Sequence, residues 1–135
     1  MKYDTNLASE FYILSALYRK GLDAFITLGN KKSVDIIVKN RNRQITIDVK
    51  GLQGTTGFPV DNVDASGKPD HYVIFISFKN KIDDLLTLPE IYIVPSKEVK
   101  KITYQSPNSI RRVVSLSTLR KREKRYRDNW DSLRN

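Results

Sequence analysis

Gln44-Ile45-Thr46-Ile47-Asp48-Val49-Lys50, residues 44–50, alternates polar and apolar side chains without interruption. Successive side chains of a strand point to opposite faces. Ile45, Ile47 and Val49 therefore form an apolar face, and Gln44, Thr46, Asp48 and Lys50 form a polar one. A carboxylate and an ammonium become neighbours on that polar face. Thirteen residues before Asp48, a second strand-like run, Val34-Asp35-Ile36-Ile37-Val38, carries a single acid, Asp35, in otherwise apolar sequence. Such a charge is costly to bury unpaired. The intervening Lys39-Asn40-Arg41-Asn42-Arg43 is polar and suits a hairpin, which folds Asp35 back toward Asp48 and Lys50.

A third acid comes from a helix expected from about Asn6 to Lys20. Asp4-Thr5-Asn6 supplies capping side chains, Leu7, Phe11, Leu14 and Tyr18 recur at helical spacing, and Gly21 stands where a helix stops. At about 100° per residue, Glu10 falls between Leu17 and Leu14, on the flank of the apolar stripe.

The order of helix glutamate, strand aspartate, then aspartate-x-lysine resembles the PD-(D/E)XK, or restriction-endonuclease-like, nuclease superfamily. Later runs of the chain, from Asp70 to Ile76, from Pro89 to Ser96 and at Asn129-Trp130, look like small standalone members. Val34 precedes Asp35 where the nominal signature has proline. The resemblance implies an α/β sandwich, a central mixed β-sheet flanked by helices. It also implies that Asp35 and Asp48 hold Mg²⁺, with Mn²⁺ as a substitute. Glu10 would help place the metal or its water, the Val49 carbonyl would be a further ligand, and Lys50 would orient or activate the attacking water. This agrees with the chemistry of Mg²⁺, a hard ion that takes oxygen from one or two carboxylates and keeps several waters.

Composition narrows the alternatives. With no cysteine and one histidine, His71, thiolate zinc sites, disulfide frameworks and histidine-rich metal sites are excluded. The 135 residues suit one domain, 1–135. Apolar runs are far shorter than a membrane span, and no basic-then-apolar leader opens the chain, so a cytoplasmic protein is expected. Net charge is +9, unevenly spread: residues 1–96 carry 12 Lys and Arg against 11 acids, and residues 97–135 carry 12 against 4. Much of the excess lies on a basic C-terminal helix expected at about 117–133. Its Arg120, Lys121, Arg122, Lys124, Arg125 and Arg127 are candidate nucleic-acid contacts that release counterions without reading sequence.

Between these landmarks, strands are expected near Ala24 to Leu28, Ser33 to Lys39, Arg43 to Lys50, His71 to Phe78 and Glu90 to Val94. The run at His71 to Phe78 is apolar enough for a strand buried on both faces. Gly51 to Pro69, with four glycines and two prolines, reads as a long loop with apolar anchors at Phe58 and Val60. Asp83-Asp84 reads as a solvated turn, His71 as a strand-end residue, and Trp130 as an anchor docking its helix on the core. A short helix is expected from Pro95-Ser96 to about Thr103.

The resulting expectation is a metal-dependent endonuclease acting on nucleic acid, with DNA favoured over RNA, working as a homodimer when both strands are cut. The alternatives are a non-catalytic nucleic-acid-binding module, or an interaction subunit, on the same scaffold.

Overall fold

The computed structural model describes residues 2–27, 34–63 and 67–134. Helix α1, Thr5–Arg19, begins where the Asp4 carboxylate accepts a hydrogen bond from the Leu7 N–H at 3.0 Å. It ends before Gly21, whose φ of 78° a residue with a Cβ adopts only at a cost. The buried side is Ser9, Glu10, Ile13, Leu14 and Leu17. Leu7, Phe11 and Tyr18, expected in the apolar stripe, are each about half exposed. The helix is thus rotated toward its Glu10 side, and that carboxylate is buried instead of lying on a flank.

Five strands follow in the main sheet: β1 Ala24–Ile26, β2 Ile36–Lys39, β3 Gln44–Leu52, β5 His71–Ser77 and β6 Glu90–Pro95, with β4, Gly57–Pro59, lying outside it. Their order is β1-β2-β3-β5-β6. Only β3 and β5 run parallel, so the sheet is mixed. The expected strand ends Leu28 and Ser33 lie outside the described residues. The turn between β2 and β3 closes as a hairpin, with Asn40 N–H donating to the Arg43 carbonyl.

β5 is buried along its whole length because each of its faces belongs to a different core. Ile74 and Ile76 join Ile45, Ile47, Val49, Ile91 and Ile93 beneath α1, and Trp130 and Leu133 close that layer. Val73 and Phe75 join Tyr92 and Val94 on the opposite face, covered by Phe58, Val114, Leu116, Leu119 and Tyr126. Burying a side chain such as Phe75 stabilises the fold by about 1.5–3 kcal/mol.

The second core depends on elements that departed from expectation. The segment after Lys50 is not simply a loop: β3 runs on to Leu52, and β4 pairs with β8, Arg112–Ser115. β8 also pairs with β7, Tyr104–Gln105, forming a three-stranded antiparallel sheet. The expected helix after Pro95 is α2, Ser96–Val99, followed by a 3₁₀ turn, Lys100–Ile102. The expected continuous helix at 117–133 is three pieces: α3 Leu116–Lys121, α4 Glu123–Tyr126 and a 3₁₀ turn, Trp130–Leu133. The break lets Asp128, at φ 50°, donate its N–H to the Ile91 carbonyl and carry the chain along the edge of β6. Among the described residues no helix is long and apolar enough to cross a membrane.

Candidate functional site

Where β2 and β3 diverge, the ladder leaves the Val49 N–H without a backbone acceptor from β2. The Asp35 carboxylate takes its place, accepting that N–H at 2.7 Å. Asp35 N–H in turn donates to the Ile47 carbonyl, so both ends of the residue are tied to β3. The paired ladder ends at Ile36↔Ile47, and Asp35 lies just beyond that end. The carboxylate is therefore fixed by a charge-assisted bond at the mouth of the strand pair.

Glu10 reaches the same place because α1 sits unusually close to β3. At Gly51 a Cβ would stand 2.9 Å from Ser9 Cβ and 3.2 Å from the Thr5 carbonyl oxygen, so only glycine admits the helix at this distance. The neighbouring residue, Glu10, is carried down with it and is buried.

A cleft of about 490 Å³ opens here, lined by Asn6, Glu10, Asp35, Val49, Lys50 and Asn62 among others. Phe58 and Pro59 from β4 form its apolar wall. Lys50 forms no hydrogen bond or ion pair among the described residues, so its ammonium is available to an incoming anion. A larger cavity, about 660 Å³, lies between α1 and β6 beside Trp130; Arg127 lines it, but none of the expected catalytic or metal-binding residues does. The smaller cleft is the one whose donors suit chemistry.

Asp48 shares the polar strand face of Lys50 but is not part of the cleft lining. Its Oδ2 lies 3.3 Å from His71 Nε2, while Thr46 Oγ1 lies 2.7 Å from His71 Nδ1. His71 is buried, and its Nε2 faces Asp48 outside hydrogen-bonding geometry. The histidine read as a strand-end residue is thus the neighbour of an expected site acid. Among the described residues, no three His, Asp or Glu side chains are grouped closely enough to enclose a metal ion. The cleft's donors are nevertheless all oxygen, two carboxylates and two asparagine side chains, and Mg²⁺ needs only one or two protein carboxylates beside water and phosphate. The residues present fit such an ion.

The six expected basic contacts divide into three groups. Arg120 makes a fork with buried Glu90, Nε to Oε1 at 2.9 Å and Nη2 to Oε2 at 2.6 Å. That guanidinium, helped by the Tyr92 hydroxyl, holds the Glu90 carboxyl down to about 2, and burial beside the carboxylate pushes Tyr92 up to about 12. Arg125 pairs with buried Glu98, which also accepts from the Tyr126 hydroxyl, and the Glu98 carboxyl is lowered by the arginine. These two arginines brace the C-terminal segment against the second core. Arg127 stands near Glu123 and Asp128 at 4.0 and 3.9 Å. Lys121, Arg122 and Lys124 are exposed and form no ion pair among the described residues.

No family model and no curated protein matches the chain. Among solved structures it is similar to a bacterial homing endonuclease, I-Ssp6803I. The TM-score is 0.56 at 12% identity, covering 98% of this chain and 92% of that one. At such low identity the likeness shows the fold alone: a mixed α/β sandwich of the kind found in that endonuclease.

Proposed function

We propose that this chain is a Mg²⁺-dependent endonuclease of the PD-(D/E)XK type, hydrolysing phosphodiester bonds in DNA. The observation that carries the reading is the convergence of Glu10, Asp35, Val49 and Lys50 on one cleft. Three chain segments supply these groups, and Gly51 and the Asp35 to Val49 bond hold them there. The similarity to an endonuclease fold supports the reading.

Asp35 and Glu10, with the Val49 carbonyl, would hold the ion. When bound, such an ion neutralises phosphate charge and makes water more acidic. Lys50 donates hydrogen bonds to a non-bridging oxygen of the scissile phosphate and orients the attacking water from the same side. Glu10 accepts a hydrogen bond from that water and fixes its direction of approach. Phe58 and Pro59 exclude bulk water from one wall, which strengthens each of these interactions.

The test is cleavage of supercoiled and linear duplex DNA in Mg²⁺ or Mn²⁺ by the wild type and by Lys50→Ala. Metal-dependent nicking that falls by about 10²-fold or more in the variant supports the proposal. Equal cleavage by both rejects it. A second reading, a binding module without turnover, is favoured by one observation: Asp48 faces His71 instead of the cleft. It predicts salt-sensitive DNA binding with no metal-dependent product.

A further inference from the structure

From Val99 to Arg122 the chain has seven Lys and Arg and no acid, and the β7–β8 hairpin lies at the centre of this stretch. The turn-side end of its β8 strand is clamped to the segment that walls the cleft. Val60 N–H donates to the Arg112 carbonyl, Arg112 N–H donates to Asp61 Oδ1 at 2.7 Å, and Arg112 Nη2 donates to the Asp61 carbonyl at 2.8 Å. The next residue, Asn62, lines the cleft itself. The hairpin is therefore fixed in position relative to Lys50 and Asp35.

The tip satisfies its own polar groups. Ser109 N–H donates to the Ser106 carbonyl, Gln105 Nε2 to the Ser109 carbonyl, and Arg111 N–H to Ser109 Oγ. The side chains of Asn108 and Arg111 are exposed and have no hydrogen-bond partner among the described residues, and Ile110 is 89% exposed. A turn braced from within, presenting an amide, a guanidinium and an isolated aliphatic group, supports none of them by packing. Lys100 and Lys101 stand at the base, exposed and without an ion pair among the described residues.

We infer that this hairpin is a groove-reading ribbon for duplex DNA, an inference that rests on the nuclease reading of the cleft. A two-stranded ribbon fits the B-form major groove, whereas the deep, narrow major groove of A-form RNA excludes it. Arginine pairs with guanine, asparagine with adenine, and an aliphatic group with the thymine methyl, which matches Arg111, Asn108 and Ile110. Lys100 and Lys101 take flanking phosphates and set the register. A protein partner would call instead for an apolar, charge-depleted surface.

The test selects bound sequences from a randomised duplex pool in EDTA, and separately measures Mg²⁺-dependent cleavage of plasmid DNA. Wild type is expected to enrich a defined motif. Asn108→Ala with Arg111→Ala should lose adjacent positions of it, the selectivity falling about 5- to 150-fold per base pair. Arg111→Lys keeps the charge but lacks the fork, and should relax one position with unchanged thermal stability. Lys100→Ala with Lys101→Ala should retain the motif and make the slope of log affinity against log salt shallower by about 1.8. Absence of any enriched motif, or the same motif from the double Asn108 and Arg111 variant, overturns the inference. A hairpin-dependent motif without wild-type cleavage sinks the nuclease reading and leaves the ribbon standing.

Discussion

Replacing Gly51 with alanine puts a Cβ 2.0 Å from Ser9 Oγ, 2.9 Å from Ser9 Cβ and 3.2 Å from the Thr5 carbonyl oxygen. The hydroxyl can rotate away, but only by giving up its 2.6 Å hydrogen bond to the Thr5 carbonyl. Ser9 Cβ and the carbonyl belong to the body of α1 and cannot rotate. The helix must retreat by about half an ångström, which at a packed contact costs about 1–3 kcal/mol. Glu10 retreats with it. A misplacement of about 1 Å can cost 10²-fold in rate, so half of that should cost about tenfold. Urea unfolding of Gly51→Ala, Ser9→Gly and the double variant measures the first effect. Ser9→Gly alone should cost about 0.5 kcal/mol through helix propensity, yet recover at least about 1 kcal/mol when Gly51→Ala is present. If Gly51→Ala lies within about 0.5 kcal/mol of wild type and the two changes simply add, the close approach of α1 to β3 does not position Glu10 as argued.

Asp35→Asn preserves the acceptor for the Val49 N–H but removes the charge; stability should change by less than about 1 kcal/mol while Mg²⁺-dependent cleavage falls by about 10²-fold or more, read by parallel unfolding and plasmid assays. Arg120→Ala leaves the buried Glu90 carboxylate with the Tyr92 hydroxyl as its remaining hydrogen-bond donor and should destabilise the fold; differential scanning calorimetry should show a fall in Tm on the order of 5 °C. Because the Glu90 carboxyl is held at about 2 in the fold against an ordinary 4.5, its contribution is complete above about pH 4.5 and is lost as pH falls toward 2; acid unfolding monitored by circular dichroism should show this loss in wild type and a flatter profile in Arg120→Ala. Replacing Lys121, Arg122 and Lys124 together with alanine should make the salt slope of duplex binding shallower by up to about 2.7, while Arg125→Ala should chiefly lower Tm.

The parts legible in the sequence are those governed by local pattern. The strict alternation of Gln44 to Lys50 gave both the faces of β3 and the place of its charged pair, and the double-sided apolar run at His71 to Phe78 announced a strand buried between two layers. The fork between Arg120 and Glu90 was not legible, because the partners are 30 residues apart and nothing local distinguishes a bracing arginine from a phosphate contact. The same holds for Arg125 and Glu98, 27 residues apart. β7 and β8 escaped for a different reason: they are two and four residues long, and exposed Tyr104 and Gln105 carry no alternation to read. The proximity of His71 to Asp48 depends on the parallel register of β3 with β5, which sets Thr46 against His71 and cannot be inferred from either strand alone.

Division of the interior by β5 has a kinetic consequence. The layer under α1 and the layer under β4, β8 and α3 are joined by the main sheet and by the short link from Tyr126 to Trp130, so β4 and β8 can open while the helix-covered layer stays intact. Such an opening removes Phe58 from the wall of the cleft and floods it with water. An occupant of the cleft therefore acts as a latch: amide protons of β4 and β8 should exchange more slowly once it is seated, whereas those of α1 keep their unliganded pace.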